Sequence, residues 1–270
     1  MEGAGGRANH VQAGTLIQMR GLLPTIDGFL AATPLGTVTH VDTLEPIAAL
    51  TFDDGPHETA TPAILDLLDE HNAKATFFVL GDTVSRHPNL VREIARRGHA
   101  IGNHTFDHPH LVEIPARDVR SQIRRCRAAV EDALHREFDA DKGSPQDPKI
   151  FRPPRGYADV RERLNALWLG YTTVTWSFHG TDWEEERTAL DIAEDLLTQL
   201  HPGAVVVLHD GLCRGPGIYP DIDRTPTVEA VECLLRERSG TYEFLTVPAL
   251  LRRAPAGKTL WRSRPESGDT

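Results

Sequence analysis

Between residues 47 and 250, short apolar runs alternate with stretches of helical periodicity, and several runs end in polar residues at the same end. That alternation constrains the fold more than any single motif. The runs are Ile47–Phe52, Ala75–Leu80, Ala100–His104, Ile150–Arg152, Tyr171–Trp176, Ala204–Leu208 and Glu243–Val247. Strands this apolar suit burial on both faces, the environment of a parallel sheet. Between them, apolar residues recur three and four apart. Ile64, Leu65 and Leu68 follow Pro62, and Leu90, Val91, Ile94 and Ala95 follow Pro88 and close at Gly98. Val119, Ile123, Cys126, Val130 and Leu134 recur between Ala116 and His135, and a fourth helix carries Val160, Leu164, Leu167 and Trp168. A helix from about Thr188 to Leu200 and another opened by Thr225 and Pro226 complete the series. Seven strands alternating with six helices predict an α/β fold whose parallel sheet is closed, or nearly closed, into a barrel.

The flanks say less. Residues 1–36 start Gly-rich and read as an N-terminal extension, 37–254 as one catalytic domain, and 255–270 as a frayed polar tail. Thr37–Val41 alternates like a strand and is expected to pair with Ile47–Phe52 as a hairpin. Glu137–Pro148, with two prolines and a glycine, reads as a surface excursion. A chain of 270 residues, 40% of them hydrophobic, can bury one core of barrel size. Its net charge of -10 argues against a nucleic-acid partner. No run approaches the roughly 18 apolar residues of a membrane span. Gly14–Leu35 is interrupted by Arg20, Asp27 and two prolines and has no basic segment before it, so it is not expected to act as a signal peptide. A cytoplasmic location is expected for the chain as given, and the cell envelope if an export segment lies upstream. Cys126, Cys213 and Cys233 have neither metal-site spacing nor an even count for disulfides. Cys126 and Cys233 are expected in the core; Cys213, close to His209, is a secondary candidate nucleophile.

The strand ends carry the chemistry. Asp53 and Asp54 end the first run before Gly55 and Pro56, and adjacent carboxylates repel unless a cation is near. His104 and His108 follow the third run, four residues apart, so one helical turn could direct both imidazoles to one point. With 13 histidines such a pair alone is weak, but its place at a strand end beside a carboxylate pair points to a metal. One aspartate and two histidines leave an open position for water, the pattern of a hydrolytic site. Such an ion acidifies its water and polarises a carbonyl. The neighbouring carboxylate could take the water's proton and a remote histidine protonate the leaving group. Arg152-Pro153-Pro154-Arg155-Gly156, Asp182-Trp183 and Leu208-His209-Asp210 stand beyond three further runs. In a barrel these ends share one rim.

T-F-D-D-G-P, H-T-F-D-H, R-P-P-R-G, D-W and L-H, in this order over about residues 47–250, resemble the five motifs of the polysaccharide deacetylases related to the nodulation deacetylase NodB, carbohydrate esterase family 4. The resemblance implies a distorted (β/α)7 barrel and a metal-dependent hydrolase that removes N-acetyl, or O-acetyl, groups from an amino sugar, an oligosaccharide or a polysaccharide such as chitooligosaccharide or peptidoglycan. Carried over by position, Asp53 is the general base and Asp54, His104 and His108 are the metal ligands. Arg152 pairs with the base, and Asp182 tunes the catalytic acid His209. Arg155, through its backbone N–H, with Gly156, Trp183 and Leu208, forms the substrate pocket; Trp183 and Leu208 wall the acetyl methyl. The ion implied is divalent, zinc first, with Co2+, Ni2+ and Mn2+ suited to the same donors.

The sequence departs from the family's pattern where Arg155 replaces a frequent aromatic residue, which makes the sugar subsite more cationic and an anionic muramyl-type substrate conceivable. His179 replaces an acidic residue three before Asp182 and reads as a subsite or structural residue. A solvated turn or a partner for a ligating histidine are equal readings of Asp107, and His57 and His110 read as loop residues. Aspartate-nucleophile phosphotransferases want D-x-D-x-T, which Asp53-Asp54-Gly55-Pro56 does not supply. Two alternatives stay open: a deformylase or deacetylase of a small, nucleotide-linked or lipid-linked sugar, and a silent sugar-binding barrel. Oligomeric state is not encoded in any motif.

Overall fold

The computed structural model describes residues 32–135 and 149–260. Its strands are β1 (Thr37–Val41), β2 (Ile47–Asp53), β3 (Ala75–Val79), β4 (Ala100–Asn103), β5 (Ile150–Phe151), β6 (Thr172–Thr173), β7 (Phe178–His179), β8 (Val205–His209), β9 (Glu243–Phe244) and β10 (Ala256–Thr259). Its helices are α1 (Ala60–Glu70), α2 (Gly81–Arg86), α3 (Pro88–Arg96), α4 (Ala116–His135), α5 (Val160–Trp168), α6 (Ala189–Gln199), α7 (Thr225–Arg238) and α8 (Val247–Arg253). The main sheet runs β6-β5-β4-β3-β2-β8-β7, parallel throughout, with β9 added in parallel at the start of β2. This is the expected α/β architecture, a curled parallel sheet forming a distorted barrel.

β2 is the axis of the molecule, and all seven of its residues are buried. Strand alternation divides them between two faces. Ala48, Leu50 and Phe52 pack with Ile64, Leu65 and Leu68 of α1, Ile94 of α3, Leu196 of α6 and Val231 of α7. On the opposite, concave face Ile47 and Ala49 meet Phe78, Val174, Val205 and, from α8, Val247 and Leu250. Farther along that face come Thr51 and Asp53. The concave face therefore changes from apolar to polar toward the carboxyl ends of the strands, where a site can form without opening the core.

Several expectations need correction. β1 does not form a hairpin with β2; it pairs antiparallel with β10. It also links the segment after β6 to the start of β8, where Thr175 N donates to Val38 O (2.9 Å) and Val41 N to Gly203 O (2.9 Å). Residues 256–259 are thus a strand and not a frayed tail, because β1 needs a partner along its free side. α5 presents the reverse of its expected face. Glu162, Arg163, Asn165 and Ala166 are buried, while Val160, Leu164, Leu167 and Trp168 are exposed. Polar contacts set that orientation: Asn165 accepts from Arg120 of α4 (2.6 Å), and Asp159 and Glu162 form a capping box. β7, α2 and α8 are additional to the sequence reading. The expected excursion at 137–148 and the extension up to residue 31 lie outside the described residues. Among the described residues no helix is long and apolar enough to cross a membrane.

Candidate active site

Asp53 is the last residue of β2, and Asp54 beyond it adopts a left-handed backbone (φ 71°). Thr105 (φ 74°), His108 (φ 59°) and Arg155 (φ 57°) share that conformation. Non-glycine residues pay for it, and such residues collect where function over-determines the backbone. Here four of them surround one spot. The turn after Asp54 is also tightly specified. A Cβ on Gly55 would stand 2.2 Å from the Asp210 carboxylate, so only glycine lets that side chain close over the turn.

The left-handed turn sends the Asp54 carboxylate away from Asp53 and toward the histidines. Its Oδ1 lies 3.4 Å from His104 Nε2 and 3.5 Å from His108 Nε2. Oδ2 accepts from the Cys213 backbone N–H at 2.9 Å. His104 Nδ1 faces the Arg152 carbonyl at 2.8 Å. A carbonyl can only accept, so Nδ1 carries the proton and Nε2 points a lone pair into the site. The ligand atoms of Asp54, His104 and His108 all lie within 4.8 Å of one another, and all three residues are buried. Asp54 Oδ1 is buried without a hydrogen-bond partner among the described residues. Burial alone would raise the Asp54 pKa, yet the facing rings of His108 and His104 hold it well below the usual carboxylate range. Burial pushes His108 down to about 3, keeping the ring neutral as a ligand must be. An orphaned carboxylate oxygen facing the Nε2 atoms of two imidazoles fits a divalent cation with positions left open.

Asp53 turns the other way. Its Oδ1 accepts from Arg152 Nη1 at 2.7 Å, and the same nitrogen donates to Thr51 Oγ1 at 2.7 Å. Arg152 has no exposed surface and also donates to Thr175 O (2.6 Å) from Nη2. Its guanidinium lies 4.1 Å from the centre of the Phe78 ring. Asp53 Oδ2 remains toward the ligand cluster, 3.9 Å from His104 Nε2.

Across the cluster, at the end of β8, His209 Nδ1 and Asp182 Oδ1 are 2.9 Å apart. Asp182 Oδ2 accepts from the His209 backbone N–H (2.8 Å), Arg224 Nη2 (2.6 Å) and Thr227 Oγ1 (3.1 Å). Burial would lower the His209 pKa, but the Asp182 charge and hydrogen bond raise it above the ordinary histidine value. Asp182 is lowered in turn: burial would raise it, and His209 outweighs burial. Both shifts favour the imidazolium–carboxylate form of the pair.

The remaining candidates divide. Trp183 packs edge-on to His209 (ring centres 5.5 Å apart) and beside His179 (4.8 Å). His179 thus supports the tryptophan and is not in the ligand cluster. Gly156 (φ 70°) leaves room for Trp176, whose ring a Cβ would meet at 2.6 Å. Arg155 is half-buried and reaches the Arg214 carbonyl at 2.8 Å. Leu208 is misplaced in the sequence reading. It is fully buried in the sheet-helix core with Ile192 and Leu196. Alternation puts Val207, not Leu208, on the His209 side of β8. Asp107 bonds Gln122 of α4 (2.7 Å) instead of a ligating histidine. Cys213 is buried, its thiol donates to Gly215 O (3.1 Å), and burial pushes its pKa up to about 12, which removes the nucleophile reading.

Four contributors were missed: Thr51, the Cys213 amide, Asp210 and Arg224. Asp210 is fully buried, accepts from Thr61 Oγ1 (2.6 Å), and is pushed up to about 7 by burial. It immediately follows His209, and that adjacency was the available signal.

Comparison with known proteins agrees with this geometry. Residues 40–174 match the family model described as polysaccharide deacetylase. A peptidoglycan-N-acetylglucosamine deacetylase of Bacillus cereus is 36% identical over 223 residues, covering 81% of this chain and 95% of the relative. A chitooligosaccharide deacetylase of Azorhizobium caulinodans is 36% identical over 178 residues, covering 66% of this chain and 80% of the relative. The crystal structure of a peptidoglycan N-acetylglucosamine deacetylase superposes with a TM-score of 0.69 at 30% identity, covering 80% of this chain and 92% of that one. Motif order, sheet order and near-complete coverage of the Bacillus relative agree, and the chain belongs to the polysaccharide deacetylase family.

Proposed function

We propose that this protein hydrolyses the acetamide of an N-acetylated amino sugar within a glycan of the peptidoglycan or chitooligosaccharide kind. The observation that carries the reading is the pairing of two buried charge pairs, Asp53–Arg152 and Asp182–His209, around the Asp54, His104 and His108 cluster. A divalent metal held by those three residues, zinc first and cobalt, nickel or manganese next, supplies Lewis acidity toward a carbonyl and a water.

The chain's own residues do the rest. Asp53, with Oδ1 tied to Arg152, takes the proton of the attacking water on Oδ2. Arg152 holds that carboxylate fixed on the concave face. His209, protonated on Nδ1 toward Asp182, delivers a proton from Nε2 to the departing amine. The backbone N–H of Arg155, set by its left-handed turn, donates to the developing oxyanion. Trp183 and Val207 shape the space beside His209 for the acetyl methyl. Two carboxylates with separate partners avoid competing for one proton, and base and acid are held on opposite sides of the reacting carbon.

Acetate release is the test. Chitooligosaccharides, peptidoglycan fragments, acetylxylan and nucleotide-linked N-acetyl sugars are incubated with the protein, with and without a strong chelator. Release from the N-acetylated glycans that chelator abolishes is expected. Release that persists at full rate in chelator, or silence on every substrate, overturns the reading.

A further inference from the structure

We propose that Arg224 is a positioning residue for the proton-donating half of the site, holding the Asp182 carboxylate, and through it the His209 ring, in line with the leaving nitrogen. The inference rests on the reading of His209 as general acid.

Arg224 stands at the N-cap of α7, where its side chain makes no cap bond. A cation there opposes the helix dipole, which favours anions at the amino end. A buried arginine in an unfavourable place needs a partner elsewhere, and five bonds supply it. Nη1 donates to the Asp182 carbonyl (2.9 Å) and Nη2 to the Asp182 carboxylate (2.6 Å). Nη2 and Nε approach the His209 carbonyl (3.0 and 3.3 Å), and Nη2 also reaches Thr227 Oγ1 (2.8 Å). One planar group therefore clips together the segment carrying Asp182, the end of β8 carrying His209, and the first turn of α7. The guanidinium fork suits this work because its donors lie in fixed directions, which a lysine cannot reproduce.

The bonds also divide the Asp182 carboxylate. Oδ2 is occupied by Arg224, Thr227 and the His209 amide, so only Oδ1 is left to face His209 Nδ1. With Arg224 removed, the carboxylate can rotate and offer either oxygen, and the ring loses its single orientation. Arg224 also offsets part of the Asp182 charge that would otherwise bind the imidazolium proton more tightly. Both effects fall on proton donation and leave the ligand cluster and Asp53 untouched.

The test separates proton donation from everything else by the leaving group. Amine loss from an N-acetylated oligosaccharide needs a proton, whereas 4-nitrophenolate leaves 4-nitrophenyl acetate without one. Metal-loaded wild type, Arg224→Gln, Arg224→Lys and His209→Gln are assayed on both, with metal content and thermal midpoint measured. Arg224→Gln is expected to lower kcat on the amide about 10- to 100-fold with KM nearly unchanged, and to keep the ester rate within about threefold. His209→Gln should show the same selectivity more strongly. Equal loss on both substrates, or no loss on either, in Arg224→Gln overturns the proposal. Should that variant fail to fold, Arg224→Lys, which keeps the buried charge but not the fork, carries the same comparison. If His209→Gln itself shows no selectivity, the general-acid reading fails and not the clip alone.

Discussion

His99 should make the protein less stable below neutral pH, by an amount the structure sets. The ring is buried just before β4, and its Nδ1 accepts from the Ala75 backbone N–H at 3.2 Å. The neutral tautomer must therefore carry its proton on Nε2, which has no partner among the described residues. Protonation would turn the acceptor into a donor facing another donor. Burial, and then the nearby Lys74, push the pKa from 6.5 down to about 4, with Arg97 adding to them and Asp69 opposing. The sign follows from linkage. Between about 6.5 and 4 the unfolded chain binds a proton at this position and the folded chain does not, so stability falls as pH falls through that window. At about 1.4 kcal/mol for each tenfold change in proton affinity, the full loss is about 3 kcal/mol. His99→Asn keeps an acceptor near the Nδ1 position and cannot titrate there. Its cost at neutral pH is about 1 kcal/mol from the lost edge contact with Phe77 (ring centres 5.8 Å apart). Urea unfolding of both proteins from pH 7.5 to 4 is the assay. The wild type should lose about 3 kcal/mol more than the variant across the window, so the two curves converge and cross. Parallel curves would refute the reasoning.

Three further outcomes concern the site. Asp53→Asn keeps an oxygen for Arg152 but no base, and should lower turnover by about 100-fold or more with metal content unchanged; wild-type turnover in that variant refutes the base assignment. His104→Ala should lose metal and activity together, measured by elemental analysis and acetate release on the same sample, and retention of a full complement of metal counts against the ligand set. Gly156→Ala forces a Cβ to 2.6 Å from the Trp176 ring at a φ of 70°, and should cost about 1–3 kcal/mol in urea unfolding; a midpoint equal to wild type means the ring yields freely.

How much of this was legible depends on the range of the interaction. Strand two and the helices α1, α3, α4, α6 and α7 follow from local periodicity and capping, so the sequence contains their signal. Leu208 failed because a motif says which residues are near, not which face they take. In a strand a shift of one residue reverses the side. α5 failed for the opposite reason: its apolar residues have helical spacing, but Asn165 and Glu162 had tertiary or capping partners that outweighed them. The pairing of β1 with β10 joins residues 37–41 to 256–259, and nothing local could announce it. Arg224 was readable in hindsight as a cation at a helix amino end, a local rule broken without local compensation.

The adjacent aspartates show how a backbone angle can divide two identical side chains. An extended strand would point Asp53 and Asp54 to opposite faces, and one of them would enter the sheet-helix core. The left-handed turn at Asp54 avoids that by rotating its carboxylate back over the rim, to 3.4 and 3.5 Å from the two histidines. Asp53 stays in register with Thr51 on the concave face, where Arg152 Nη1 reaches both. Each carboxylate thus acquires its own counter-charge or donors, which is what two anions one residue apart require. The division needs Gly55, since a side chain there would collide with Asp210 and push the turn open. A variant that straightens the turn should therefore lose both functions at once: the cluster loses its carboxylate, and Asp53 gains a repelling neighbour. Gly55→Ala is that variant. Its expected signature is joint loss of metal binding and turnover in a folded protein, and loss of only one would mean that the two aspartates are set independently.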